Sequence, residues 1–152
     1  MKSILLVFVF VITGYSNEIN NIRQLYLLAH TSQSQCDVFG KELSDIKDKG
    51  CVLIKGYQAC FYFIKCKFVE NPIDKLMYFN KGKDLLEFAI IQEPKSVELK
   101  FLRYSIQKNL PRFLLYHSSL EKDFNFVNQN IQSVNDKEVR VFIKNSIKSL
   151  SQ

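Results

Sequence analysis

Residues Cys51 to Val69 decide the fold class. This stretch is rich in β-branched and aromatic side chains, and Ile64-Lys65-Cys66-Lys67-Phe68 alternates as a strand would. The longer pattern points the other way. Leu53, Tyr57, Cys60, Phe61, Ile64 and Phe68 recur at helical spacing, while Lys55, Gln58 and Lys65 fall together on the opposite side. The segment also runs 19 residues without a turn signal, where strands usually stop by about eight. The pattern predicts a mostly buried helix.

The remaining segments show the same period. Asn17 to Ser32 places Ile19, Ile22, Leu25, Tyr26 and Leu28-Ala29 three and four apart, with Asn17 positioned to cap the helix. A weaker helix covers Ser34 to Asp48, with Val38, Leu43 and Ile46 inward and Gly50 closing it. Asn71-Pro72 breaks the 51–69 helix and starts another, Ile73 to Gln92. Its expected inward residues are Leu76, Met77, Leu86, Ala89 and Ile90, with Lys75, Asp84 and Glu87 outward, and Pro94 ends it. Lys95 to Leu110 carries Leu99, Leu102, Ile106 and Leu110 on one face, and Glu98, Arg103 and Gln107 off it, before Pro111. Ser118/Ser119 are expected to cap a helix running to Gln132, with Glu121 in its first turn. Asn135/Asp136 are expected to cap the last helix, which is carried by Val139, Phe142, Ile143, Ile147 and Leu150. Each of the three prolines sits at a helix boundary. The expectation is an all-α fold of about seven helices.

The N-terminus predicts export. Lys2 precedes nine apolar residues, Ile4 to Ile12, and Gly14 and Ser16 then supply small residues two apart. Nine residues are far short of the roughly 20 a membrane-spanning helix needs, and no later segment is long and apolar enough. Residues 1–16 are therefore expected to be a cleaved signal peptide, with 17–152 forming a single helical domain in the periplasm or outside the cell. Lys2 leaves with the leader, giving 20 Lys and Arg against 15 Asp and Glu, a net charge of +5. The lysines are dispersed, and no clustered basic module marks a nucleic-acid partner. Hydrophobic residues at 47% and aromatics at 13% suit a packed core rather than disorder. Cys36, Cys51, Cys60 and Cys66 make an even number in an exported chain, which invites disulfides. On one helix, Cys60 and Cys66 would stand ~9 Å apart along the axis, too far to bridge, and Cys51 and Cys60 fail for the same reason. Cys36 could meet one of the others across a helix pair. Otherwise the thiols serve as small core hydrophobes.

Gly82, Leu86, Ala89 and Pro94 resemble the second-helix positions of a tetratricopeptide repeat: small, large apolar, small, then a terminating proline. Val52 to Gly56 supplies a poorer match to the first helix, and the stretch between is too long for the usual repeat of about 34 residues. The runs Lys75 to Lys83, Ala89-Ile90 with Pro94, Glu98 to Gln107 and Pro111 to Tyr116 resemble a group of small exported Bacteroidetes proteins with tetratricopeptide-like helical arrays. The resemblance spans roughly residues 50 to 130. It implies a degenerate right-handed solenoid of helix hairpins and export, and it brings no catalytic residues.

Motifs for ordinary catalysis are missing: no Gly-x-Ser-x-Gly elbow, no His-Glu-x-x-His, no Cys-x-x-Cys and no glycine-rich phosphate loop. His30 and His117, the only histidines, stand at no ligand spacing from each other or from the cysteines. His30 is expected to interact with the terminal carbonyls of its helix. No catalytic residue, metal site or cofactor is therefore expected. The best binding candidates are Arg103 and Gln107, one turn apart, joined by Tyr104, Asn109 and Tyr116 in a groove between helices. The competing reading has Arg103 pairing with a carboxylate such as Glu98 or Glu121 to lock two helices. Phe113, Leu114, Leu115 and Tyr116 are expected to pack in the core; exposed, they would form an interaction patch. The functional expectation is a module binding a protein or peptide at the cell envelope. An enzyme of unrecognised type and a basic membrane-surface protein are the alternatives.

Overall fold

Short polar residues start four of the helices. Ser32 Oγ accepts from Gln35 N, Asn71 from Ile73 N, Ser96 from Leu99 N, and Asp136 from the amides of Glu138 and Val139. Each contact satisfies amides that a first helical turn leaves unpaired. The computed structural model describes residues 17–46 and 50–151, so the expected leader, 1–16, lies outside the described residues. Among the described residues the chain is all-α, with seven helices and no strand. They are α1 (17–29), α2 (Gln33–Asp45), α3 (Val52–Lys65), α4 (Pro72–Gln92), α5 (Val97–Asn109), α6 (Leu120–Asn130) and α7 (Lys137–Leu150). Single 3-10 turns occupy Arg112–Leu114 and Ile131–Ser133.

The ambiguous stretch is helical, although α3 ends at Lys65 and the backbone turns through 66–68. Helices α3 and α4 form the tightest hairpin. A Cβ at Gly82 would lie 3.0 Å from the Ala59 carbonyl oxygen and 3.0 Å from the Phe63 ring. Any larger residue would need the Ala59 backbone or the Phe63 ring to give way by a few tenths of an ångström. That contact fixes the inward side of α4 as Phe79, Gly82, Leu86, Ala89 and Ile90. Leu76 and Met77, expected inside, lie on the opposite side and are exposed. Val38 is displaced in the same way: Cys36, Phe39 and Leu43 face inward from α2, and Val38 points away from all three. Ile46 ends α2, earlier than Asp48, and residues 47–49 lie outside the described residues. Ser119 holds the N-cap position of α6, but its side chain makes no capping bond.

Helix α5 is the centre of the molecule. It packs against α3, α4, α6 and α7, and every residue from Val97 to Gln107 is buried. Glu98, Arg103 and Gln107, expected off the apolar face, are therefore inside: an encircled helix has no solvent side. Cys36 and Cys60 are fully buried, and burial pushes the Cys36 thiol up to about 11 and that of Cys60 higher still. The Cys66 thiol donates to the carbonyls of Tyr62 and Lys75 at 3.3 and 3.4 Å. Among the described residues no helix is long and apolar enough to cross a membrane.

Candidate functional site

The polar residues of α5 organise two buried clusters. In the first, Arg23 from α1 donates through Nε and Nη2 to both oxygens of Glu98, each at 2.8 Å. Tyr57 from α3 donates its hydroxyl to the same carboxylate at 2.5 Å, and Arg23 also reaches Asn20. Burial works to lower the Arg23 pKa, but the Glu98 hydrogen bonds and charge outweigh it and hold the guanidinium above its usual value. Burial, then the Glu98 charge, pushes the Tyr57 hydroxyl well up. Next to this cluster, Tyr26 and Ser105 share a hydrogen bond of 2.8 Å.

The second cluster joins α4, α5 and α6. Arg103 donates to both Asp123 oxygens, at 2.6 and 3.0 Å, and to Glu87 at 2.7 Å. Tyr116 donates to the other Glu87 oxygen at 2.5 Å. Lys100 stands 3.9 Å from Asp123 and lies over the Phe126 ring, 4.7 Å from its centroid. Burial lowers the Lys100 pKa, partly opposed by Asp123. Burial also works against the Arg103 charge, but Asp123 and then Glu87 hold it above its usual value. Burial and Glu87 raise the Tyr116 hydroxyl.

The expected binding residues therefore separate. Arg103 and Tyr116 meet on Glu87, as parts of an internal clamp rather than a groove. Arg103 locks helices, as the competing reading held, but its partners are Asp123 and Glu87; Glu98 belongs to Arg23, and Glu121 is not a partner. Gln107 is 1% exposed, and its amide has no hydrogen-bond partner among the described residues. Asn109 donates to the Ser105 carbonyl at 2.9 Å. Tyr104 tilts against Phe124 and borders a shallow depression of about 340 Å³, with Lys108, Leu120, Glu121 and Ser151 around it. His117 contacts the Leu110 carbonyl at 3.1 Å. The His30 carbonyl, just past the end of α1, accepts from Lys67 Nζ at 3.2 Å. Among the described residues no three His, Cys, Asp or Glu side chains converge as a metal site requires.

Residues 111–116 also depart from expectation. Tyr116 is buried, stacking on Phe63 at 5.9 Å and meeting Phe79 edge-on. Phe113 and Leu115 are not core: they are 79% and 87% exposed. Leu115 adopts φ 52°, the only positive φ among the described non-glycine residues. A branched side chain in this left-handed region costs about 1–2 kcal/mol. The buried Tyr116 anchor and the 3-10 turn before it hold both side chains in solvent.

Asp123 and Arg23 were not singled out from the sequence; Glu87 was expected to face outward, Tyr57 to be core, and Glu98 to pair with Arg103 rather than Arg23. A signal for Asp123 exists: it precedes the buried Val127 and Ile131 at four-residue intervals, so it is a carboxylate within an apolar stripe. Arg23 sits in the same way between Ile22 and Tyr26. Compared with protein-family models, with curated proteins and with solved structures, the chain matches none.

Proposed function

We propose that this chain is an exported helical module that binds a protein or peptide at the cell envelope, with the 112–116 corner as its contact. One observation carries the reading: Phe113 and Leu115 stand in solvent on a strained turn whose base is fixed by Tyr116, Glu87 and Arg103. Exposing two large apolar side chains on strained backbone is unfavourable for an isolated domain, and such features concentrate at contact sites. Arg112 and Lys83 are exposed nearby in the chain and around Tyr116, where Lys83 lies over the ring. The fitting partner presents an apolar side chain flanked by acidic ones. The helix-hairpin array resembling tetratricopeptide repeats belongs to this reading, supported by the close packing at Gly82 and the full burial of Ala89.

Selection from a displayed peptide library tests it. Enriched peptides should carry an apolar anchor beside acidic residues and lose binding to Phe113→Ser and Leu115→Ser, both of which remain folded. Peptides that bind both variants as well as the parent would overturn the assignment. Export is checked separately by mass spectrometry of the secreted chain, expected to begin at Asn17.

A further inference from the structure

Helix α4 is apolar on two sides. Its inner side packs on α3. Its outer side exposes Ile73 (76%), Leu76, Met77, Phe88 and Ile91 (72%). At 100° per residue, positions 73, 76, 77, 80, 84, 87, 88 and 91 form one continuous stripe, opposite Gly82 and Ala89. The order along it is Ile73, Leu76, Met77, Asn80, Asp84, Glu87, Phe88, Ile91. Spacing reads the same in either direction about residue 82, and so does character, with apolar ends around a polar centre, except that Met77 mirrors Glu87, which is turned inward to Arg103.

A stripe of this kind complements itself. A two-fold axis through the middle of the helix would bring Ile73 against Ile91, Leu76 against Phe88, and Asn80 against Asp84, each pair occurring twice. Closed two-fold interfaces demand this self-complementarity. The polar centre fits as well: the Asn80 amide donates, and the Asp84 carboxylate accepts. Both side chains are exposed and make no hydrogen bond or ion pair within the described residues. Lys81, held over the Tyr62 ring at 4.4 Å, lies on the Asp84 side of the stripe and flanks the Asp84 of the opposing helix in the same arrangement. The helix has 21 residues and is therefore about 32 Å long, enough for an interface near the usual ~800 Å² per partner once flanking residues are included.

We infer that the outer face of α4 is covered by α4 of a second copy of this chain, packed antiparallel about residue 82. This pairing does not depend on the partner-binding role of the 112–116 corner.

Sedimentation equilibrium of the purified protein across the micromolar range tests the inference. The parent should form a dimer. Ile91→Glu, at an exposed position, should weaken it at least about tenfold with an unchanged helical spectrum. Asn80→Asp should weaken it too, by setting carboxylates against Asp84, whereas Asn80→Lys should restore or tighten it. Direction is read by mixing Ile73→Cys and Ile91→Cys chains under mild oxidation: antiparallel pairing gives the mixed cross-link in preference to either self-cross-link. A protein that stays monomeric at 100 μM (~10⁻⁴ M), a dimer unaffected by Ile91→Glu, or dominant self-cross-links would each overturn it.

Discussion

Helices α4 and α5 are neighbours with opposite solutions to burial. Helix α5 includes Glu98, Lys100, Arg103, Ser105 and Gln107, yet all five are buried. Helix α4 carries more large apolar side chains, yet five of them face solvent. The inner helix tolerates charge because each buried guanidinium meets a carboxylate in bidentate geometry, which offsets desolvation. The outer helix leaves apolar surface bare because only one of its sides has a neighbour among the described residues. Position in the bundle, set by glycine contacts and by pairing across helices, outweighs residue type.

That contrast can be broken at several points. The largest effect is expected from Asp123→Ala, which leaves Arg103 and Lys100 buried beside a single remaining carboxylate and should cost about 3–5 kcal/mol in urea unfolding. Gly82→Val comes next: its side chain must displace the Ala59 backbone or the Phe63 ring, at about 1–3 kcal/mol. Gln107→Leu should stabilise the fold by about 1 kcal/mol, because it removes an enclosed amide without partners among the described residues. Lys100→Met should give a smaller gain at neutral pH, and it should depend on pH. Burial lowers the Lys100 pKa in the folded state, so the unfolded chain binds more protons between that value and 10.5. The parent's stability rises with pH through this window, and the advantage of Met should shrink towards pH 10.5. On α4, Ile91→Gln should change the stability of the isolated chain by less than about 0.5 kcal/mol. A large loss there would mean that the outer face supports the fold itself.

The helices were legible because apolar side chains repeat at helical spacing and because prolines and short polar caps mark the ends. Leu76, Met77 and Val38 were misplaced for a shared reason. A helix with apolar residues on two sides does not declare which one faces its neighbour. Gly82 held the answer for α4, since a glycine within a helix marks where another backbone comes close. The clusters were less legible. Arg103 stood out as a helix-locking residue, but Asp123 and Glu87 lie on other helices, and pairings 20 and 16 residues apart have no local signature. The exposed corner was misread because Phe113 and Leu115 are core-type residues. The left-handed backbone at Leu115 that turns them outward is a property of the folded turn rather than of its residue types.

The partners of α1 set a timetable for assembly. Its polar side chains reach Glu98, Ser105 and Glu138, which follow Arg23, Tyr26 and Asn20 by 75, 79 and 118 residues. Its contacts with α2 and α3, Asn21 to Glu42 and Tyr26 on the Phe39 and Tyr57 rings, join nearer neighbours in the chain and can close earlier. Its ties to α5 and α7 must wait. At synthesis rates of about 5–20 residues per second, roughly 6 s or more separates the emergence of Asn20 from that of Glu138. During this interval Asn20 and, for most of it, Arg23 and the Tyr26 hydroxyl lack their final partners, and any chaperone that recognises greasy nascent segments meets α1 first.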